Sequence, residues 1–158
     1  MPVTLAQLTE RLLASYACCG GINHVDGKNL PSKRAIADIT VDLLRLLFPG
    51  YFDEQPIHSS EIGAITIALL DSVLGRLENE IGKSLEYALP GGFGDADLPE
   101  VARTLTLRFL DNLPRVRELL GTDTEAAYNG DPAAFSKDEV IVAYPFIEAI
   151  AEIGRAHV

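Results

Sequence analysis

The sequence predicts an all-α fold: a multi-helix bundle with one long helix, at about 60–88, and a carboxy-terminal helical half. Three observations carry this expectation. Apolar residues recur at spacings of three and four through most of the chain. Residues that open helices (Ser, Thr, Asp, Pro) and glycines that close them punctuate the pattern. The alternation expected of strands is absent, save in the four residues Val140–Ala143.

Taken in order, Thr4 caps a first helix on which Leu5, Leu8, Leu12 and Tyr16 form a stripe, and Gly20-Gly21 stops it. After a polar loop, Asn23–Asn29, Pro31-Ser32 opens a second helix with Ile36, Ile39, Leu43, Leu44, Leu46 and Leu47 on its apolar side. Phe48-Pro49-Gly50 closes it. Ser59 or Ser60 is expected to cap the third and longest helix, since no proline interrupts Ser60–Ala88. Such a helix in a short chain is expected to protrude or to meet a partner. Pro90-Gly91-Gly92-Phe93-Gly94 carries no phosphate-cradle spacing and reads as a flexible connector. The expected organisation is thus an arm (1–89), a connector (90–97) and carboxy-terminal helices (98–158), together making one structural domain.

Asp97 and Pro99 start a fourth helix running to Asn112, and Pro114 and Gly121 bracket a short fifth. Two further short helices are expected on either side of Asn129-Gly130-Asp131-Pro132, each opened by a capping box: Thr122…Glu125 and Ser136…Glu139. Gly130 is free to take positive φ, and Pro132 restricts Asp131 to extended backbone, so a carboxylate is fixed at a chain reversal. Pro145 leads a last helix towards Ala156.

Composition narrows the function classes. Thirteen Lys and Arg against 23 Asp and Glu give a net charge of −10, which argues against nucleic acid or an anionic membrane as partner. No apolar run approaches the roughly 20 residues of a membrane span. The start, MPVTLAQLTERLL, lacks a signal-peptide pattern. Cys18 and Cys19 are adjacent, and neighbouring cysteines bridge only with strain, so a reducing, cytoplasmic setting is expected. No metal site is expected, because His24 is the nearest further ligand to that pair. A serine hydrolase would need a nucleophile elbow, and none occurs. His24, His58 and His157 are isolated and read as surface or packing residues. Asp123 and Glu125 read as first-turn acids favoured by a helix dipole, and Asp26 reads as a turn residue.

Two segments carry a family resemblance. The run AAYNGDPAAFSKDEVIVAYPFIEAIA resembles the segment that precedes the catalytic domain of bacterial serine O-acetyltransferases, with its Asp-Pro-Ala element, Ser-x-x-Glu and Tyr-Pro step. GGINHVDGKNLPSKRAIADITVDLLRLLFPGYF is similar to the amino-terminal helices of the long-armed branch of that family. The sequence departs from the family at Phe146, where the family has glycine, and at Gly154 and Arg155, although Ala156 and His157 keep register. No hexapeptide repeat of the family's left-handed β-helix occurs in these 158 residues.

The resemblance implies the amino-terminal helical domain of an enzyme that converts L-serine and acetyl-CoA to O-acetyl-L-serine and CoA in cysteine biosynthesis. It implies that Asp131 binds the serine ammonium. It also implies that this chain holds no catalytic residue, binds no cofactor, takes acetyl-CoA only as co-substrate of a full enzyme, and self-associates through helical faces. By itself the chain is expected to be inactive. The alternative is a stand-alone helical interaction or regulatory protein derived from that domain.

Overall fold

The structure is a computed structural model that describes residues 3–88 and 97–144. Most of the expected connector, the helix led by Pro145, and Phe146, Gly154, Arg155 and His157 lie outside the described residues. Within them the chain is all-helical, with no strand.

Helix α1 spans Leu5–Cys18, and Thr4 and Gln7 cap it reciprocally as a capping box. A single 3-10 turn, Gly20–Ile22, follows. Helix α2 spans Lys33–Leu47, with the Ser32 hydroxyl accepting from the Ala35 N–H at 3.2 Å. Phe48 caps its end, and Gly50 turns the chain at φ 87°. Helix α3, Ile62–Ala88, is the expected long one. Its start differs slightly from expectation: Ser59 and Ser60 lie in the turn leading in, and the Glu61 carbonyl accepts the first helical bond, from Ile65 N–H at 3.0 Å.

Helix α4 spans Leu98–Asp111 with Pro99 in its first turn, and Asn112 alone separates it from α5. Here the structure corrects the sequence. Helix α5 runs unbroken over Leu113–Gly130, so Gly121 ends nothing and Thr122 caps nothing. Instead the Thr122 hydroxyl donates to the Leu119 carbonyl at 2.7 Å. Glycine inside a helix costs only about 1 kcal/mol relative to alanine. Burial of Leu113, Val116, Leu120 and Thr124 along one face outweighs it. Asp123 and Glu125 therefore sit deep in the helix rather than in a first turn. Gly130 stays helical, without positive φ, and Asp131 (φ −112°, ψ 104°) ends α5 in the extended backbone that Pro132 demands.

Helix α6, Lys137–Ala143, is capped by Ser136, whose hydroxyl accepts from Glu139 N–H at 3.1 Å. The return arm of this box reaches one residue further back than usual, with Glu139 Oε2 accepting from Phe135 N–H at 2.8 Å.

The core is built where α2, α3, α5 and α6 converge: Ile39, Leu43, Leu44, Leu47 and Phe48 meet Val73, Leu113, Val116, Leu120 and Val140. Helix α3 lies between α2 and α4, and α5 packs on α2, α4 and α6. The buried hydroxyls of Thr106 and Thr124 are satisfied within their own helices, on Ala102 and Leu120 carbonyls at 2.8 Å. Polar ties fix the remaining joints. Arg117 donates to the Leu47 carbonyl, a cation at the negative end of α2. Asp53 accepts from both Arg45 Nε (2.7 Å) and Gly50 N–H (3.0 Å), pinning the loop that leaves α2. Tyr51 donates to Asp138 at 2.5 Å and couples that loop to the first turn of α6.

Candidate functional site

The turn between α5 and α6 is the place where local chemistry and tertiary anchoring meet. Pro132 has no N–H and restricts Asp131, so the helix must stop and the side chain of Asp131 folds over the turn. Its Oδ1 accepts from Ala133 N–H at 2.9 Å, while its backbone carbonyl accepts from Ala134 N–H at 3.1 Å. Its Oδ2 accepts from the Tyr144 hydroxyl at 2.5 Å. The Tyr144 hydroxyl, and after it the Ala133 N–H, hold the Asp131 carboxyl below the usual carboxylate range against the opposing effect of desolvation. In return the Asp131 carboxylate pushes the Tyr144 phenol up.

A second bracket closes the same hairpin. Lys137 pairs with Glu125, whose other oxygen accepts from Asn129 Nδ2 at 3.2 Å. The result is a half-buried carboxylate, ionised and held at both oxygens, with exposed Pro132 and Ala133 and the 90% exposed Phe135 beside it. Among the described residues no Lys, Arg or His pairs with Asp131.

The other candidates are not gathered around this turn. His24 folds back on its own loop, with Nε2 against the Lys28 carbonyl at 2.6 Å. Its ring lies so close to Gly27 that a Cβ there would meet it at 2.5 Å. Asp26 takes positive φ (59°), as a turn aspartate does. His58 lies in the turn before α3, and Cys18 and Cys19 are exposed free thiols at the end of α1. No group of three or more potential ligands among the described residues is arranged to hold a metal ion. No described helix is long and apolar enough to cross a membrane.

No protein-family profile matches the chain. Over 132 residues, 81% of its length, it is 33% identical to a protein of Synechococcus elongatus described as "Serine acetyltransferase, plasmid". It is a relative of the serine acetyltransferases. The similarity spans 41% of that relative's length, so the chain covers well under half of it. All-helical over its described residues, with no strand among them, the chain matches the helical amino-terminal domain of a serine acetyltransferase.

For a serine acetyltransferase relative, the residue to which the sequence gives no role at this turn is Tyr144, although it belongs to the Tyr-Pro step. It sits 13 positions from Asp131, and only the α6 bracket brings the two together. The sequence likewise assigns no role to the paired acids Asp42 and Asp53 with Arg45 and Arg76, or to the buried Glu80.

Proposed function

We propose that this chain serves as the helical amino-terminal part of a serine O-acetyltransferase and supplies Asp131 to the serine pocket. One observation carries the reading. In a relative of that family, the carboxylate at the chain reversal is held at both oxygens by neutral donors and has no cationic partner among the described residues. An ammonium group completes such a carboxylate through charge-assisted hydrogen bonds. Anchored there, L-serine would present its hydroxyl to a general base and to the thioester of acetyl-CoA, giving O-acetyl-L-serine and CoA. In this reading the base and the acetyl-CoA groove come from a domain beyond these 158 residues, and this chain binds no cofactor. The chain also carries the assembly contacts, through helical faces such as the exposed stripe of α1, in a cytoplasmic setting. A stand-alone regulatory protein would use the same faces.

The test has two arms. Alone, the chain is expected to release no CoA from acetyl-CoA and L-serine above the blank. Serine-dependent turnover by the chain alone would sink the reading. Joined ahead of the acyltransferase portion of the Synechococcus elongatus relative, it is expected to give an active enzyme. There, Asp131→Asn should raise the KM for L-serine about 10- to 100-fold, the worth of a charge-assisted hydrogen bond. The KM for acetyl-CoA should stay unchanged.

A further inference from the structure

We infer that Tyr144 is the positioning residue of the Asp131 site: its hydroxyl orients the carboxylate for the ammonium of an amino-acid ligand. This deepens the serine-pocket reading and rests on it for the identity of the ligand.

The argument begins with what the hairpin does not need. The α5–α6 reversal is already closed by the Lys137–Glu125 pair, by the Ser136 cap and by Val140, which is fully buried in the core. The Tyr51–Asp138 bond fastens the start of α6 to the loop after α2. With those ties in place, the Tyr144–Asp131 bond is redundant for closing the turn. Its distinct effect is on the carboxylate. Ala133 N–H holds only Oδ1, and a carboxylate held at one oxygen still swings about χ2. The Tyr144 hydroxyl takes Oδ2 and fixes the plane of the group. Each oxygen has two lone-pair directions, so one on each remains after these two bonds. Those two lie in a fixed plane and suit the N–H groups of an ammonium.

Tyr144 is also placed independently of the turn it serves. It caps α6 in extended conformation (φ −96°, ψ 106°), directly after the segment that Val140 anchors. Tyr144 is partly buried against the core cluster, so the hydroxyl comes from the core side of the hairpin and from outside the turn that carries Asp131.

Carboxyl-detected NMR on the 158-residue chain tests this, comparing wild type with Tyr144→Phe and using Asp131→Asn to assign the signal. The Phe variant keeps the ring and removes the hydroxyl, and helical circular dichroism checks that it folds. In wild type, Asp131 should titrate below about 3.9, the value of an unperturbed aspartate. In Tyr144→Phe it should move up towards that value. L-Serine at high concentration should shift the Asp131 carboxyl carbon of wild type, and the shift should be several-fold smaller in Tyr144→Phe. The ammonium-free analogue 3-hydroxypropionate should shift neither.

An Asp131 titration unchanged by Tyr144→Phe would overturn the inference, as would an equal serine response in both proteins. If the variant moves the titration but serine shifts nothing in wild type, the hold by Tyr144 stands. Serine binding by this chain alone then fails, and the serine-pocket reading is decided by the KM of Asp131→Asn in the joined enzyme.

Discussion

Glu80 lies within α3 with 3% of its surface exposed, and Ser32, Lys83 and Asn79 donate to its carboxylate. Its Oε2 accepts from Ser32 N–H at 2.7 Å, and its Oε1 takes the Lys83 ammonium at 2.5 Å. One carboxylate thus satisfies the backbone at the entrance of α2 from another helix, where its negative charge also suits the dipole. Glu80→Ala leaves that N–H and the Lys83 charge without their acceptor in a largely dry place. It should lower unfolding free energy in urea by about 2–4 kcal/mol. Glu80→Gln keeps an acceptor and should cost about half as much. Burial pushes the Glu80 carboxyl up, but Lys83 and Ser32 together outweigh burial and leave it below the usual glutamate range. A pKa lower in the folded state than in the unfolded state stabilises the fold above about pH 4.3. That contribution drains away as pH falls through the folded value. The stability gap between wild type and Glu80→Gln should therefore be full at pH 7 and shrink in urea titrations as the pH falls below about 4.3. Asp131 differs in kind: it is half-exposed, and its bonds order a side chain rather than hold helices together.

At the scale of elements, helix ends are written in local chemistry and helix continuity is not. Thr4, Ser32 and Ser136 each accept the backbone N–H expected of a cap, and Pro132 ends α5 where its ring requires. Those boundaries were legible because each depends on residues within one turn. Gly121 misleads for the complementary reason. A glycine marks an end only if the backbone adopts positive φ, and at Gly121 the buried neighbours Leu120 and Thr124 keep the helix going. The two kinds of glycine respond oppositely to alanine. At Gly121 a Cβ meets nothing within 4 Å, so Gly121→Ala should raise stability by about 0.5–1 kcal/mol. At Gly50, with φ 87°, Gly50→Ala should destabilise by about 1 kcal/mol, although that Cβ also finds open space. Thermal melts of both variants check the pair, and the same sign at both positions would contradict the argument. The ties between distant elements escape such reading. Tyr51–Asp138 and Ser32–Glu80 span 87 and 48 residues, and no periodicity or cap signal links their members.

At the scale of the whole molecule, the described helices fall into two groups. Helices α2 to α6 share or adjoin one core, whereas α1 contributes no buried residue at all. Its stripe was readable in the sequence, but which surface would cover it was not, because an amphipathic helix encodes the need for a partner and not its identity. Leu5 is 81% exposed, and Leu8, Leu12, Leu13 and Tyr16 are exposed with it. An isolated helix of fewer than about 12–15 residues is marginal in water, and α1 has 14 residues. The Thr4 and Gln7 capping box adds only about 1 kcal/mol. Persistence of α1 therefore demands that its stripe be covered, and the proposed self-association supplies the cover. On that account the chain should sediment above its monomer mass at tens of micromolar, and dilution should reduce both mass and helicity together. Leu8→Glu with Leu12→Glu places two charges in the stripe and should give a monomer that has lost about one helix's worth of circular dichroism. The core around Val73 and Leu120 should still melt cooperatively, since neither substitution touches it. A wild-type chain that stays monomeric at every concentration while α1 amides remain protected from exchange would refute the coupling. A helix with nothing buried would then be holding itself together, against the energetics of short helices in water.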